Sequence, residues 1–177
     1  FRFRINSLFD RATKLNEKEY DVLPEAWGRL NEAYWKASVI VSPFQSYPDL
    51  ERMTDAHLAE FLSACPLQDW EKQELISARE RNKYYQEHIF WHSIADAKAA
   101  SRESHVYLSK NGIFLKRDIK ERFSVMDEFI WHALVARETL ERVKPHKEPN
   151  TAVDRFRKEG EAMLKELEVV VQARMHE

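Results

Sequence analysis

Imidazole and carboxylate side chains recur at four-residue spacing in two neighbouring segments of the chain. His88, His92 and Asp96 form one series, and Glu128 and His132 form the other. In a helix this spacing places side chains on one strip of the surface. Imidazoles and carboxylates that meet in one place can ligate zinc or transfer protons. The spacing therefore suggests a polar cluster, provided that two helices bring the strips together.

Apolar spacing predicts the two helices that would position this cluster. One runs from about Asn82 to Ser109 and the next from about Asp118 to Val143. If the chain reverses near Ile113, the two helices form an antiparallel hairpin in which His132 lies level with Ile94. The two strips then occupy the same height of the hairpin, provided that each faces its partner helix.

A simpler interpretation assigns these histidines to the surface of an amphipathic hairpin. They would lie beside Trp91 and Trp131, each bonded to a neighbouring carboxylate or backbone group. The sequence favours this interpretation, so we predict no catalytic residue, no metal ligand and no cofactor.

Known catalytic signatures were tested against the sequence. Glu-x-x-His pairs of di-metal bundles, His-Glu-x-x-His, Gly-x-Ser-x-Gly and Gly-rich phosphate loops are absent. Helical ribonucleases use an Arg and a His separated by four to six residues, and Arg52…His57 and Arg81…His88 have that spacing. The Arg and His content gives about as many such pairs by chance, so the pattern does not predict a nuclease.

Two segments could form interaction surfaces. Lys116, Arg117 and Lys120 belong to a basic cluster at the predicted hairpin tip, which could bind phosphate or an acidic partner. A solvated turn is the favoured alternative. Phe44 and Tyr47 lie in a proline-bounded loop and could anchor a protein partner, or pack down on the core, which is the interpretation favoured here.

Composition predicts the fold class. The chain of 177 residues has 33% charged residues, three Gly and six Pro, which is typical of a helical domain. Five Trp and ten Phe are expected to supply the core. We predict an all-α protein that forms a single elongated helical bundle over residues 1–177 around the long central hairpin.

The remaining helices follow from apolar spacing, caps and prolines. We predict helices over about 2–20 and 24–41, which could also be one kinked helix, and over about 55–64 and 67–78. Thr54 is the expected N-cap of the third and Thr151 that of the last helix, and Asn111-Gly112 is expected to end the long helix in a left-handed turn.

Net charge and cysteine content limit the classes of partner. A formal charge of −2 gives no strong signal for nucleic acid or for an anionic membrane. The lone Cys65 cannot form an internal disulfide and fits a reducing compartment, so it is expected to be a small buried apolar residue.

The segments SPFQSYPDLERMTDAHLAEFL, EHIFWHSIADAKAASRESHVYL and SKNGIFLKRDIKERF resemble uncharacterised bacterial proteins. In those proteins a short N-terminal membrane anchor precedes a helical cytosolic domain, with no known activity. The resemblance implies a topology and no catalytic residue.

The first residues bear on a membrane tether. The chain begins at Phe1 inside a helical pattern, so we expect that it lacks an N-terminal segment. The first fourteen residues contain four basic side chains and one acidic side chain, a charge of +3 that fits the positive-inside rule, although an ordinary solvated helix face has the same composition. A cytoplasmic protein at the inner face of the membrane is the resulting hypothesis.

Taken together, the sequence favours a non-enzymatic helical domain that binds another protein or itself. The alternative is a nuclease-like or metal-dependent enzyme with His and Arg chemistry on the central hairpin.

Overall fold

The computed structural model describes residues 2–143 and 150–176, and side chains from residue 10 onwards. This part of the chain contains six α-helices, one 3₁₀-helix and no strand, which confirms the all-α class. The α-helices are α1 (Arg2–Val41), α2 (Asp55–Ala64), α3 (Asp69–Ser77), α4 (Arg81–Asn111), α5 (Arg117–Arg142) and α6 (Thr151–Met175), and the 3₁₀-helix Gly112–Phe114 lies between α4 and α5.

The two helices predicted at the start of the chain are one helix, α1, with Pro24 in its interior. The buried face begins at Glu19 and continues through Leu23 and Leu30 to Val41. Leu15 is 53% exposed. The part of α1 between residues 10 and 18 therefore does not contribute to a core.

The chain divides into two compact units, and the first consists of Phe1–Val41 and Ala97–Glu177. In this unit α1 packs on α5, on α6 and on the 3₁₀-helix, and α5 packs on α6. Burial of large apolar side chains on these helices supplies most of the favourable free energy. The fully buried residues include Leu23, Leu30, Phe123, Met126, Ile130, Leu134 and Phe156.

The second unit is Ser42–Asp96, which holds α2, α3 and the first half of α4. It has its own apolar core, which includes Leu50, Leu58, Leu62, Cys65, Leu67, Leu75, Tyr85 and Ile89. The burial of Cys65 confirms its predicted apolar role. Although we predicted a single domain, each unit has a core of its own, and the elongated shape stays a prediction.

Helix ends follow the expected capping chemistry at one site and depart from it at two. The Thr54 hydroxyl accepts a hydrogen bond from the His57 N–H at 3.3 Å, as predicted for an N-cap. For α6 the cap is Asn150, whose side chain accepts from two backbone N–H groups, so the assignment of Thr151 was wrong. The left-handed stop at Asn111 was also wrong, because its φ is −108° and the chain continues into the 3₁₀-helix.

The tryptophans are not the core residues that the composition suggested. Trp35, Trp70 and Trp91 are exposed by 50%, 55% and 38%, and Trp27 and Trp131 are half-buried. A large ring with an N–H group is seldom fully buried, and smaller aliphatic residues fill these narrow contacts. The prediction of a Trp-rich core was therefore wrong.

Within the described ranges, no helix is both long enough and apolar enough to cross a membrane. The tether at the inner face stays a prediction.

Candidate functional site

Polar contacts join α4 to α5 within the first unit. The Lys98 ammonium lies 2.7 Å from Glu138 Oε2, and Nδ1 of His105 lies 2.7 Å from Oδ2 of Asp127. The paired positions run in opposite order along the two helices. Their midpoints fall at residues 116 to 118, a few residues after Ile113, and the antiparallel hairpin stays a prediction. The 3₁₀-helix and the two residues after it lengthen the turn.

The His105–Asp127 pair joins an exposed imidazole to a buried carboxylate. The side chain of His105 is 68% exposed and that of Asp127 only 6%. In the described part of the chain, Oδ1 of Asp127 is a buried side-chain oxygen without a hydrogen-bond partner. Burial raises the pKa of Asp127, and the hydrogen bonds of His105 and Ser104 offset part of that increase.

This geometry defines the protonation of the imidazole. A carboxylate accepts hydrogen bonds, so Nδ1 of His105 holds the proton and donates it to Asp127 Oδ2. Nε2 is then the unprotonated ring nitrogen, with no protein partner among the described residues. A carboxylate placed behind an imidazole in this way fixes its tautomer and stabilises the imidazolium form. The arrangement can therefore accept a proton at Nε2.

A pocket of about 300 Å³ opens beside this pair between α4 and α5. Ser101 and Asp127 are buried and Trp131 is half-buried, whereas the other side chains lie at the exposed rim. The lining residues are Ser101, Arg102, His105, Asp127, Glu128, Trp131 and His132.

Three charged or ionisable lining residues have no protein partner. Among the described residues, Arg102, Glu128 and His132 make no hydrogen bond and no ion pair. Some charged side chains elsewhere on the same helices pair at i,i+4, as Arg117 does with Glu121 at 2.9 Å. The pocket therefore concentrates polar groups that are available to a ligand.

Glu128 and His132 of the predicted cluster line this pocket, and their neighbours from α4 are Ser101, Arg102 and His105. His105 and Asp127 were not among the site residues predicted from the sequence. A signal was present, because Asp127 lies four residues after Phe123 and so interrupts the apolar face of α5 with a carboxylate. The partner of that carboxylate could not be identified without the register of the hairpin.

The other three members of the predicted cluster belong to the second unit. His92 Nε2 lies 2.7 Å from Oε2 of the buried Glu71, and His88 Nδ1 lies 2.8 Å from the Tyr84 carbonyl oxygen. Both histidines thus have the neighbouring carboxylate or backbone partner of the simpler interpretation, and Asp96 lies one turn further along α4. The five-residue cluster stays a prediction.

Glu71 is a further buried carboxylate that the sequence analysis did not identify. Its Oε2 accepts from the Gln68 N–H at 2.6 Å as well as contacting His92, which completes a capping box at the start of α3. Burial raises the pKa of Glu71, but the hydrogen bonds from Gln68 and His92 outweigh it and leave the pKa below its usual value. This carboxylate therefore caps the start of α3 and joins α3 to α4.

Metal and nuclease chemistry find little support in the geometry. Across residues 2–143 and 150–176, no group of three or more His, Cys, Asp or Glu side chains is placed to hold a metal ion. Arg52 lies 3.2 Å from Asp49, and Arg81 donates to the Ile76 carbonyl at 3.0 Å. Both arginines of the nuclease-like pairs are thus bound locally.

The two aromatic residues of the predicted loop surface behave differently. Phe44 is 89% exposed, whereas Tyr47 packs on the core of the second unit with its ring 6.3 Å from that of Tyr85. The Ser42 hydroxyl donates to the Phe44 carbonyl and accepts from the Phe44 N–H, which fixes the loop backbone. One ring therefore projects outwards and the other covers the core.

The basic residues at the hairpin tip are partly used inside the protein. The backbone N–H of Lys116 lies 3.4 Å from Glu19 Oε1, and the exposed Arg117 pairs with Glu121. The methylenes of Lys120 lie over Gly112, where a Cβ atom would come within 3.1 Å of Cε. These contacts are those of a solvated turn, and a phosphate site stays a prediction.

Comparison with protein-family models, with curated proteins and with solved structures finds no match for this chain. The resemblance to anchored bacterial helical proteins therefore stays a prediction, and any function has to be inferred from the geometry of the site.

Proposed function

We propose that the pocket between α4 and α5 binds a small organic ligand and that His105 accepts a proton from it. The observation that supports this function is the buried Asp127 carboxylate, 2.7 Å from Nδ1 of an exposed imidazole at the pocket. The volume of about 300 Å³ is at the lower end of the range of small-molecule sites. This proposal differs from both interpretations of the sequence, which were a protein-interaction domain and a nuclease-like or metal-dependent enzyme.

The proton transfer balances in charge. A ligand O–H or N–H gives its proton to Nε2 of His105, which becomes an imidazolium, and the ligand becomes an anion. Asp127 stabilises the imidazolium through Nδ1, and the unpaired Arg102 guanidinium is available to the ligand anion. A buried carboxylate without a full set of partners destabilises a protein, so its presence behind an exposed imidazole supports a functional role.

The tautomer of His105 tests the proposal directly. In ¹⁵N NMR spectra of the native protein at a pH where the imidazole is neutral, His105 should show a protonated Nδ1 and an unprotonated Nε2. Asp127→Asn should shift the ring towards the Nε2–H tautomer. Glu138→Gln, which alters the other contact between α4 and α5, should leave the tautomer unchanged. An Nε2–H tautomer in the native protein would contradict the proposal.

A second candidate is self-association through Phe44. It is favoured by one observation, a ring that is 89% exposed on a loop whose backbone is held by Ser42. Ordered exposed aromatics are common anchors of protein interfaces. Sedimentation velocity should then show a dimer that Phe44→Ser converts to a monomer and Tyr47→Phe does not. A native protein that stays monomeric as its concentration rises would exclude this candidate.

A further inference from the structure

The charge of the pocket restricts the ligand that can enter it. The lining contains one permanent cation, Arg102, and two carboxylates, Asp127 and Glu128, so its net charge is −1 while the imidazoles are neutral. A carboxylate or a phosphate dianion would enter against that charge. In a half-buried site this repulsion is screened less than in bulk water.

A ligand that arrives neutral and ionises in place avoids this repulsion. Its proton converts His105 to an imidazolium, which brings the charge of the lining to zero at the moment when the ligand becomes an anion. The new anion then lies beside the imidazolium and within the pocket that Arg102 lines. A cationic amine gains less, because Arg102 repels it, the Asp127 carboxylate is already bonded to His105, and solvent screens the attraction of the exposed Glu128.

The pKa of the ligand must be close to that of an imidazole, because His105 is the base. An imidazole ionises about three to four pKa units below an ordinary phenol, so proton transfer from a simple phenol is uphill. An acidic phenol or an enol, whose pKa approaches that of imidazole, can share its proton with His105 nearly evenly. Efficient acid–base chemistry near neutral pH requires such a match.

The walls of the pocket favour an aromatic ring. Trp131 supplies a half-buried indole, and Ser101 is a small buried residue of the same lining. The indole is held in place by the ammonium of Lys98, which lies 5.3 Å from its ring centroid and is bonded to Glu138. A fixed aromatic wall suits a planar ligand.

We infer, on the basis of the proposed function above, that the ligand is a neutral aromatic weak acid of the acidic phenol or enol class. It enters protonated, gives its proton to Nε2 of His105, and is held as its anion between the imidazolium, Arg102 and Trp131.

Four probes of one shape test this inference on the full chain. 4-Nitrophenol ionises near neutral pH and changes colour when it does. 4-Nitroanisole lacks the proton, 4-nitrobenzoate is an anion beforehand and 4-nitrobenzylamine is a cation. Binding is measured from the NMR shifts of the Trp131 indole N–H and the His105 ring, and ionisation from the absorbance of the nitrophenolate.

We expect 4-nitrophenol to bind about tenfold or more tightly than each of the other three probes. The reason is that the other probes cannot form the hydrogen bond between the ligand anion and the His105 imidazolium that follows proton transfer. The bound phenol should also be ionised at a lower pH than the free compound. His105→Gln should abolish this change in colour, whereas His57→Gln, at an exposed position in the second unit, should not.

The outcomes distinguish an error in the inferred ligand class from an error in the proposed binding site. If the benzoate or the benzylamine binds most tightly and His105→Gln weakens it, the site stands and the ligand class is overturned. If 4-nitroanisole binds as tightly as 4-nitrophenol, the proton plays no part and the inference also fails. If no probe shifts the Trp131 or His105 signals, both the inference and the proposed function fail.

Discussion

The buried carboxylate of Asp127 should lower the stability of the protein, and its removal should raise it. Asp127→Asn keeps the size of the side chain, and its amide N–H₂ can donate to Nδ1 of His105 in the Nε2–H tautomer. It removes a negative charge that is 4% exposed and that has one oxygen without a partner in the described part of the chain. Such substitutions exchange function for stability at ligand sites.

The size of the expected change in stability follows from the groups that surround position 127 in the variant. A buried polar group without a partner costs about 1–3 kcal/mol, and the asparagine oxygen can accept a hydrogen bond from the neighbouring Ser104 hydroxyl. We take the lower end of that range, a gain of about 1 kcal/mol near pH 8. In a chain of this length a gain of that size raises Tm by roughly 3 °C.

The increase in stability on Asp127→Asn must change with pH in a definite direction. Burial raises the pKa of Asp127, so the folded protein holds this proton more tightly than the unfolded chain does. The stability that proton binding supplies is therefore present in full below the unfolded pKa and is lost as the pH rises through the folded pKa. The advantage of Asp127→Asn should accordingly be largest at neutral to alkaline pH and should shrink towards acid pH.

Urea unfolding followed by circular dichroism at several pH values measures this difference. Asp10→Asn, at an exposed position on α1, is the matched control and should change stability by less than about 0.5 kcal/mol at every pH. A variant at Asp127 that is less stable than the native protein above neutral pH would refute the reasoning. So would a difference that does not change with pH.

Two further predictions concern packing and a buried ion pair. Gly28→Ala should stabilise the protein by about 1 kcal/mol, because nothing lies within 4 Å of the new Cβ. Gly160→Ala should not give this increase in stability, because its Cβ would lie 3.1 Å from the ring of Tyr34. Thermal unfolding of both variants measures the difference. Arg174→Met should lower the free energy of unfolding in urea by about 3 kcal/mol. The reason is that the Glu19 carboxylate, which is 6% exposed and lies 2.7 Å from the guanidinium, loses its cation. Adding Glu19→Gln should recover most of this loss, and additive effects of the two substitutions would contradict the pairing.

Helix positions could be predicted from the sequence because apolar periodicity is a local property. Along α5, Ile119, Phe123, Met126 and Ile130 repeat at three and four residues, and all four are buried as expected. On α6 the buried residues Phe156, Leu164, Leu167 and Val171 form a similar stripe. A helical face about 100° wide contains several such residues, so the pattern locates the helix.

Errors arose where packing decides between local alternatives. The sequence could not show that Trp35 and Trp70 remain exposed, because either ring suits a core as well as a surface by composition alone. The two compact units were likewise hidden, since α4 contributes residues to both and shows no break in its helical pattern.

The candidate site depends on one quantity that local patterns do not contain, the length of the turn between α4 and α5. With a reversal at Ile113, Asp127 would lie level with residue 99, whereas in the structure it bonds His105, six residues further along α4. Six residues of helix correspond to about 9 Å, more than the reach of a hydrogen bond between two side chains. The turn is longer because the 3₁₀-helix is followed by an extended residue, Leu115, whose ψ is 149°. A change in the length of this turn that shifts α4 along α5 would therefore separate His105 from Asp127.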